Sequence, residues 1–138
     1  MATHHDAELI LKLYDLRREA VMRQARIDVQ SKFVPKTFED VQAVTKPDHP
    51  VNTAYRMVSS YWEMAAGFVA HKALDLDLFA ENCAEGLFLF AKVEPHLERI
   101  RKEISPTAYV NMENVVKSSA TARFRLEIFR KRVAAMMK

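Results

Sequence analysis

The sequence has very little glycine and cysteine and no long apolar run. Two glycines among 138 residues leave little material for hairpin turns or for the glycine-rich loops that bind nucleotide phosphates. The single cysteine forms no internal disulfide and no thiolate metal site, so nothing indicates an oxidising compartment. No stretch approaches the ~20 apolar residues of a membrane span, and no signal peptide opens the chain. These absences favour a cytoplasmic, all-α protein with no membrane partner.

Apolar residues recur three and four positions apart along most of the chain, which predicts amphipathic helices. We expect one domain over residues 1–138, built as an antiparallel bundle of four long helices plus a short connecting helix. Pro95 is expected to kink the fourth segment, and the small residues from Lys117 to Thr121 leave open whether the last segment is one helix or two. The predicted helices cover residues 6–33, 38–45, 51–72, 77–104 and 106–137.

Two apolar patterns carry specific expectations about packing. The first helix should bury a seam that Arg23 interrupts, formed by Leu9, Leu13, Leu16, Ala20 and Ile27. Four large apolar residues follow Gly86 and point all round their helix, so this helix is either central in the bundle or covered by a second subunit.

The acidic and histidine residues do not match a metal centre or an enzyme. A carboxylate-bridged metal site in a bundle needs Glu-x-x-His on two helices, whereas Glu94 and His96 are two positions apart. We therefore predict no catalytic residue, no metal and no cofactor. Glu63 is the exception, because it is the one acidic residue on the helix that looks most buried. It needs a partner: either an ion pair, for which Arg23 is a candidate, or a pocket that raises its pKa.

Candidate ligand-binding residues are Glu63, its neighbour Trp62, and His71. His71 stands near the end of the same helix, where capping by an imidazolium is the simpler interpretation.

The basic residues concentrate in the last helix, opposite an acidic segment between Asp75 and Glu98. A cationic helix suits nucleic acid, but a solvated face, or a clasp on the acidic segment of the same chain or a second subunit, is the simpler interpretation. The basic interaction surface is formed by Arg123, Arg125, Arg130, Lys131 and Arg132.

Three motifs resemble a bacterial family of all-helical domains of unknown function: Tyr61 to Gly67, Leu74 to Phe79, and Glu94 to Leu97. The resemblance covers roughly residues 52–104 and implies no activity, cofactor or catalytic residue. Many members of that family carry an N-terminal membrane segment, which this sequence lacks.

The sequence therefore predicts a non-enzymatic interaction or structural protein that self-associates, most simply as a homodimer, with an unidentified protein partner as a further possibility. Two alternatives stay open. One is a nucleic-acid-binding module that uses the basic helix, and the other is a small-molecule-binding bundle or enzyme that uses Glu63.

Overall fold

A computed structural model describes all residues from Met1 to Lys138, and its regular structure is entirely helical. One 3-10 turn, Glu94–His96, separates the sixth helix from the seventh. The all-α fold class predicted from the sequence is confirmed. The α-helices are α1 (His4–Arg18), α2 (Ala20–Lys32), α3 (Phe38–Val44), α4 (Asn52–Ala70), α5 (Leu76–Asn82), α6 (Ala84–Val93), α7 (Leu97–Glu103), α8 (Val110–Ser118) and α9 (Ala120–Met136).

Helix α4 holds the fold together, because it packs against α2 on one side and α8 on the other. Helix α6 packs mainly against α9, and α9 also contacts α8 and α5. The buried apolar side chains of these helices form one continuous core. The two predicted segments 38–45 and 51–72 agree closely with α3 and α4, whereas each of the three other predicted helices is interrupted.

The predicted helix over residues 6–33 is wrong at Glu19, where the chain leaves the helical conformation with ψ of 141°. The Glu19 carboxylate accepts hydrogen bonds from the amides of Val21 at 3.0 Å and Met22 at 2.9 Å. A side chain that satisfies the first amides of a helix starts a new helix at that point. Residues 6–33 are therefore two helices, and Glu19 is the N-cap of the second.

This break changes which residues of α1 and α2 face the core. The predicted seam placed Leu16, Ala20 and Ile27 inside, but all three are exposed. The interruption shifts the helical phase, so residues that the sequence spaces three and four apart across Glu19 no longer lie on one face. The residues of α2 that are buried instead are Met22, Ala25 and Val29.

The predicted helix over residues 77–104 is interrupted at Cys83 and again at Pro95. In a continuous helix the Ala80 carbonyl would accept from the amide four residues later, but here it accepts from Arg125 Nη1 at 2.8 Å. Proline has no amide hydrogen to donate to the preceding turn, and the chain forms the 3-10 turn there. The single kinked helix is thus replaced by α5, α6 and α7.

The predicted helix over residues 106–137 begins later than expected and divides in two. Its first residues form turns that end at Tyr109, whose φ of 58° is left-handed, and a carboxylate of α4 caps α8 in place of a local residue, as described below. Ser119 separates α8 from α9, and its hydroxyl accepts from the Ala122 amide at 3.0 Å. The alternative left open by the sequence is therefore resolved in favour of two helices.

Helix α6 is central in the fold. Leu87, Leu89 and Phe90 are buried, and the half-buried Phe88 ring lies 5.7 Å from the ring of Phe129 on α9. The apolar run after Gly86 is therefore covered within the chain and supplies no surface for a second subunit.

Lys92 on α6 is the most unusual residue of the core, because its side chain is only 1% exposed and has no acidic partner. Its Nζ donates to the carbonyls of Val29 at 3.1 Å and Gln30 at 3.3 Å, and it lies 4.7 Å from the centre of the Phe88 ring. These carbonyls belong to the last turn of α2, where the helix dipole favours a cation. Lys92 therefore caps α2 from another helix.

We expect the free energy of unfolding to increase by about 0.6 kcal/mol between about pH 8 and pH 9. Burial lowers the pKa of Lys92 from 10.5 to about 8, so in this range the folded state releases a proton that the unfolded state retains. Stability rises with pH wherever the unfolded state binds more protons. Urea denaturation at a series of pH values measures this rise.

Lys92→Met should remove the rise, whereas Lys32→Met, at the exposed end of the same α2, should keep it. Above about pH 9 the rise should level off, because burial raises the pKa of Cys83 from 9.0 to about 12 and the thiol proton that the unfolded state loses then offsets the Lys92 proton that it retains. A wild-type profile that is flat or falls from pH 8 to 9 contradicts this account.

Candidate functional site

Trp62 and Glu63 are adjacent on α4 but face different neighbours. Trp62 is 2% exposed, and its indole Nε1 donates to Glu85 of α6 at 3.1 Å. Glu63 instead faces α8, since consecutive helical residues point about 100° apart. The two candidate residues therefore belong to separate arrangements and do not form one site.

Glu63 caps the N-terminus of α8. Its carboxylate accepts from the backbone amides of Asn111 at 2.7 Å and Met112 at 3.1 Å. These amides are among the first of α8, which no residue of the helix itself can satisfy. The predicted pairing with Arg23 is wrong, because the Arg23 guanidinium donates to the Arg18 carbonyl at 2.9 Å. Glu63 needed a partner, and the partner is the backbone and dipole of another helix.

Glu85 is the polar centre that the sequence did not single out. Its carboxylate accepts from Arg26 Nε at 2.8 Å, from Gln30 at 2.7 Å and from Trp62, so it links α6 to α2 and α4. The Arg17 guanidinium lies 5.1 Å from the Trp62 ring centre. Both carboxylate oxygens of Glu85 are engaged in these contacts, so the cluster stabilises the packing of α6 against α2 and α4.

His71 lies apart from both arrangements. It is the exposed residue that ends α4, about 12 Å along the helix from Glu63 at 1.5 Å per residue. The next residue, Lys72, has a φ of 61°, the left-handed conformation that terminates helices. The predicted position at the helix end is confirmed, but the structure does not bring His71 to a pocket with Trp62 or Glu63.

Most arginines of the predicted basic surface are engaged within the chain. Arg123 donates to the Val116 carbonyl at 3.0 Å and the Lys117 carbonyl at 2.7 Å, which close the last turn of α8. Arg125 is the residue that binds the Ala80 carbonyl of α5.

Arg130 forms a two-pronged ion pair with Glu94, with Nε 2.8 Å from Oε1, and also binds Glu127 at 2.9 Å. These carboxylates raise the pKa of Arg130. Arg132 lies over the Phe129 ring, and Lys131 is exposed. The four arginines of the predicted surface therefore contact their own chain, including the acidic segment at Glu94.

A groove of about 570 Å³ runs between α4 and the turn before α8. Exposed Arg56 and the Glu63 side chain line it from α4, together with Tyr55. Tyr109 lines it from the turn, and the two tyrosine hydroxyl oxygens are 2.6 Å apart. Burial raises the pKa of both tyrosines, so both hydroxyls stay protonated at neutral pH.

Elsewhere the reactive side chains are inert or scattered. Cys83 is buried, and burial raises its pKa to about 12, which makes it a poor nucleophile. No group of three or more His, Cys, Asp or Glu side chains stands close enough to hold a metal ion. No helix is both long and apolar enough to traverse a lipid bilayer.

The family model of a domain of unknown function, DUF4760, matches residues 2–119. The chain belongs to this family. The predicted resemblance to a family of unknown function is thereby confirmed, over a longer range than the motifs suggested. Neither a curated protein nor a solved structure matches the chain. The matched range ends at Ser119, the residue that separates α8 from α9.

We expect Glu63→Ala to lower the free energy of unfolding by about 1–3 kcal/mol, because it leaves two partly buried amides without an acceptor. Glu63→Gln keeps one acceptor oxygen but loses the charge at the helix N-terminus, so its loss should be smaller. Chemical denaturation followed by circular dichroism measures both. The control is Glu81→Gln, an exposed acid of α5 outside the chain's salt bridges, which should be neutral. Equal stability of Glu63→Ala and wild type contradicts the capping role.

The two glycines should respond oppositely to alanine. A Cβ on Gly86 would lie 3.0 Å from the Trp62 ring, and forced overpacking costs about 1–3 kcal/mol. A Cβ on Gly67 would meet only the end of the Asn111 side chain at 3.1 Å, which can move. Alanine also favours a helix by about 1 kcal/mol over glycine.

Gly86→Ala should therefore destabilise the protein and red-shift the emission of Trp62, while Gly67→Ala should be neutral or stabilising. Thermal melts measure the change in stability, and tryptophan fluorescence measures the shift of the Trp62 emission. A Gly86→Ala variant as stable as Gly67→Ala would show that the Trp62 ring is not held against α6.

Proposed function

We propose that this chain is a non-enzymatic interaction domain that self-associates through an apolar surface at the junction of α1, α2 and α4. One observation carries the proposal: a groove of about 550 Å³ lies there, and no charged residue lines it. We call it the methionine groove. It is lined by Leu16, Met22, Met57, Ser60, Tyr61 and Met64.

The break at Glu19 exposes apolar side chains around this groove. Leu16 in the last turn of α1 is 55% exposed, and Val21 in the first turn of α2 is 62% exposed. Met64 of α4 is 44% exposed on the opposite rim. A second depression of about 410 Å³ adjoins the groove and shares Met57 with it. Contiguous apolar surface of this kind is uncommon on monomers and marks contact sites.

A second copy of the chain is the occupant that this surface fits best. An uncharged groove needs an apolar counterpart, and the rim itself provides three projecting side chains of that kind. A two-fold symmetric contact sets the same patch against itself, so the rim of each copy can enter the groove of the other. Methionine side chains adapt readily to such a neighbour.

The nucleic-acid alternative loses support for a structural reason. Phosphate binding needs a stripe of cations that is free to track a duplex. Arg123, Arg125 and Arg130 instead bind carbonyls and carboxylates of their own chain. The exposed Phe124 and Ile128 on the outer side of α9 further interrupt any cationic stripe.

Sedimentation at tens of micromolar should give a species of about twice the chain mass of 15.9 kDa. The double variant Leu16→Glu with Met64→Glu should be monomeric, because it places two carboxylates in an apolar contact. Both positions are exposed, so the fold should persist, and circular dichroism checks this.

Phe124→Glu is the matched control, since Phe124 is 71% exposed on α9, away from the methionine groove. It should leave the dimer intact. A monomeric wild type overturns the proposal, and a dimer that Phe124→Glu disrupts while the double variant does not would assign the contact to α9.

A further inference from the structure

We propose that the groove between α4 and the turn before α8 is a binding site for a small organic carboxylate with an apolar body. The exposed Arg56 would hold the carboxylate, and the buried hydroxyl pair of Tyr55 and Tyr109 would supply a second donor. This inference does not rest on self-association, and its groove adjoins the methionine groove, with which it shares Met57 and Ser60.

The groove has fixed walls. One is α4 itself, and the other is the turn that ends at Tyr109. Arg101 Nε donates to the Ala108 carbonyl at 3.0 Å and so ties this turn to α7. The hydroxyl contact between Tyr55 and Tyr109 ties it to α4. Ligand sites in proteins are usually formed in advance and fall within about 300–1,000 Å³, and the groove volume of about 570 Å³ lies in that range.

The tyrosine pair has one hydrogen more than its contacts use. Tyr55 is 8% exposed and Tyr109 is 7% exposed, and their hydroxyls are bonded only to each other. Two hydroxyls carry two hydrogens, but one hydrogen bond between them uses only one. A buried O–H without an acceptor costs free energy. The pair therefore offers a hydrogen-bond donor beside the groove, and a ligand oxygen is a suitable acceptor.

The charge that is available in the groove is positive. Arg56 takes part in none of the chain's salt bridges. Glu63 also lines the groove, but both of its oxygens accept amides from the N-terminus of α8, whose dipole offsets the negative charge. The uncompensated group is the guanidinium, so the groove favours an anion.

The remaining lining selects a carboxylate over an inorganic anion. Met57, Ala108 and the two tyrosine rings give the groove an apolar part that a hydrated phosphate would not contact. A carboxylate has two coplanar oxygens that match the guanidinium fork. The rest of an aromatic or short aliphatic acid can then lie on the apolar wall.

The test is a titration of the full chain with benzoate, followed by calorimetry and by backbone amide chemical shifts. We expect saturable binding, with shifts concentrated in residues 53–63 and 107–112. Benzamide has the same shape without the charge and should bind at least about tenfold more weakly. Inorganic phosphate should also bind at least about tenfold more weakly, because it lacks the apolar body.

Arg56→Gln should weaken benzoate binding by about tenfold or more without changing stability, and Arg132→Gln on α9 is the matched control that should bind as wild type does. Thr107→Trp fills the groove from its exposed turn and should abolish binding. No saturable shift with benzoate, equal binding of benzamide or phosphate, or no effect of Arg56→Gln would each overturn the proposal.

Discussion

Charged side chains that cap helix ends from a neighbouring helix are the interaction on which this structure depends. Glu63 of α4 satisfies the first amides of α8, Lys92 of α6 satisfies the last carbonyls of α2, and Arg125 of α9 binds a carbonyl at the end of α5. Each contact fixes where a helix begins or ends and which helix it lies against. For α8 and α5 the side chain that binds the helix end belongs to a helix packed against it, so capping and packing support each other there.

The sequence predicts the fold class and the locally determined elements. Scarce glycine and the three-and-four spacing indicate an all-helical chain. Helix α3, whose N-cap is Thr37, and helix α4 follow from nearby residues alone. The breaks at Glu19 and Cys83 could not be predicted in the same way. An apolar spacing that continues across a break looks like one helix, and the contact that interrupts α5 comes from Arg125, far along the chain.

The candidate site likewise combines features that nearby residues predict with contacts from distant parts of the chain that they do not. The need of Glu63 for a partner follows from its position among apolar residues, but its partners are backbone amides about fifty residues away, which no spacing reveals. Glu85 and Lys92 were missed as buried polar centres. A signal for them does exist, since they are the only charged residues of the otherwise apolar segment that forms α6. The charge pattern leaves open a solvated face or a clasp on the acidic segment of the same chain or of a second subunit, and Arg130 binds Glu94 of the same chain.

Carboxylates at the starts of α1, α2 and α3 make the stability of these helix ends depend on pH. Backbone hydrogen bonds lower the pKa of Asp6, Glu19 and Asp40, so these caps stabilise the folded chain above the ordinary carboxyl pKa. That contribution disappears as the pH falls through their lowered values. At a pH below the ordinary carboxyl pKa the starts of α1, α2 and α3 should consequently fray and their amide hydrogens should exchange faster, while the apolar contacts between α6 and α9 stay closed.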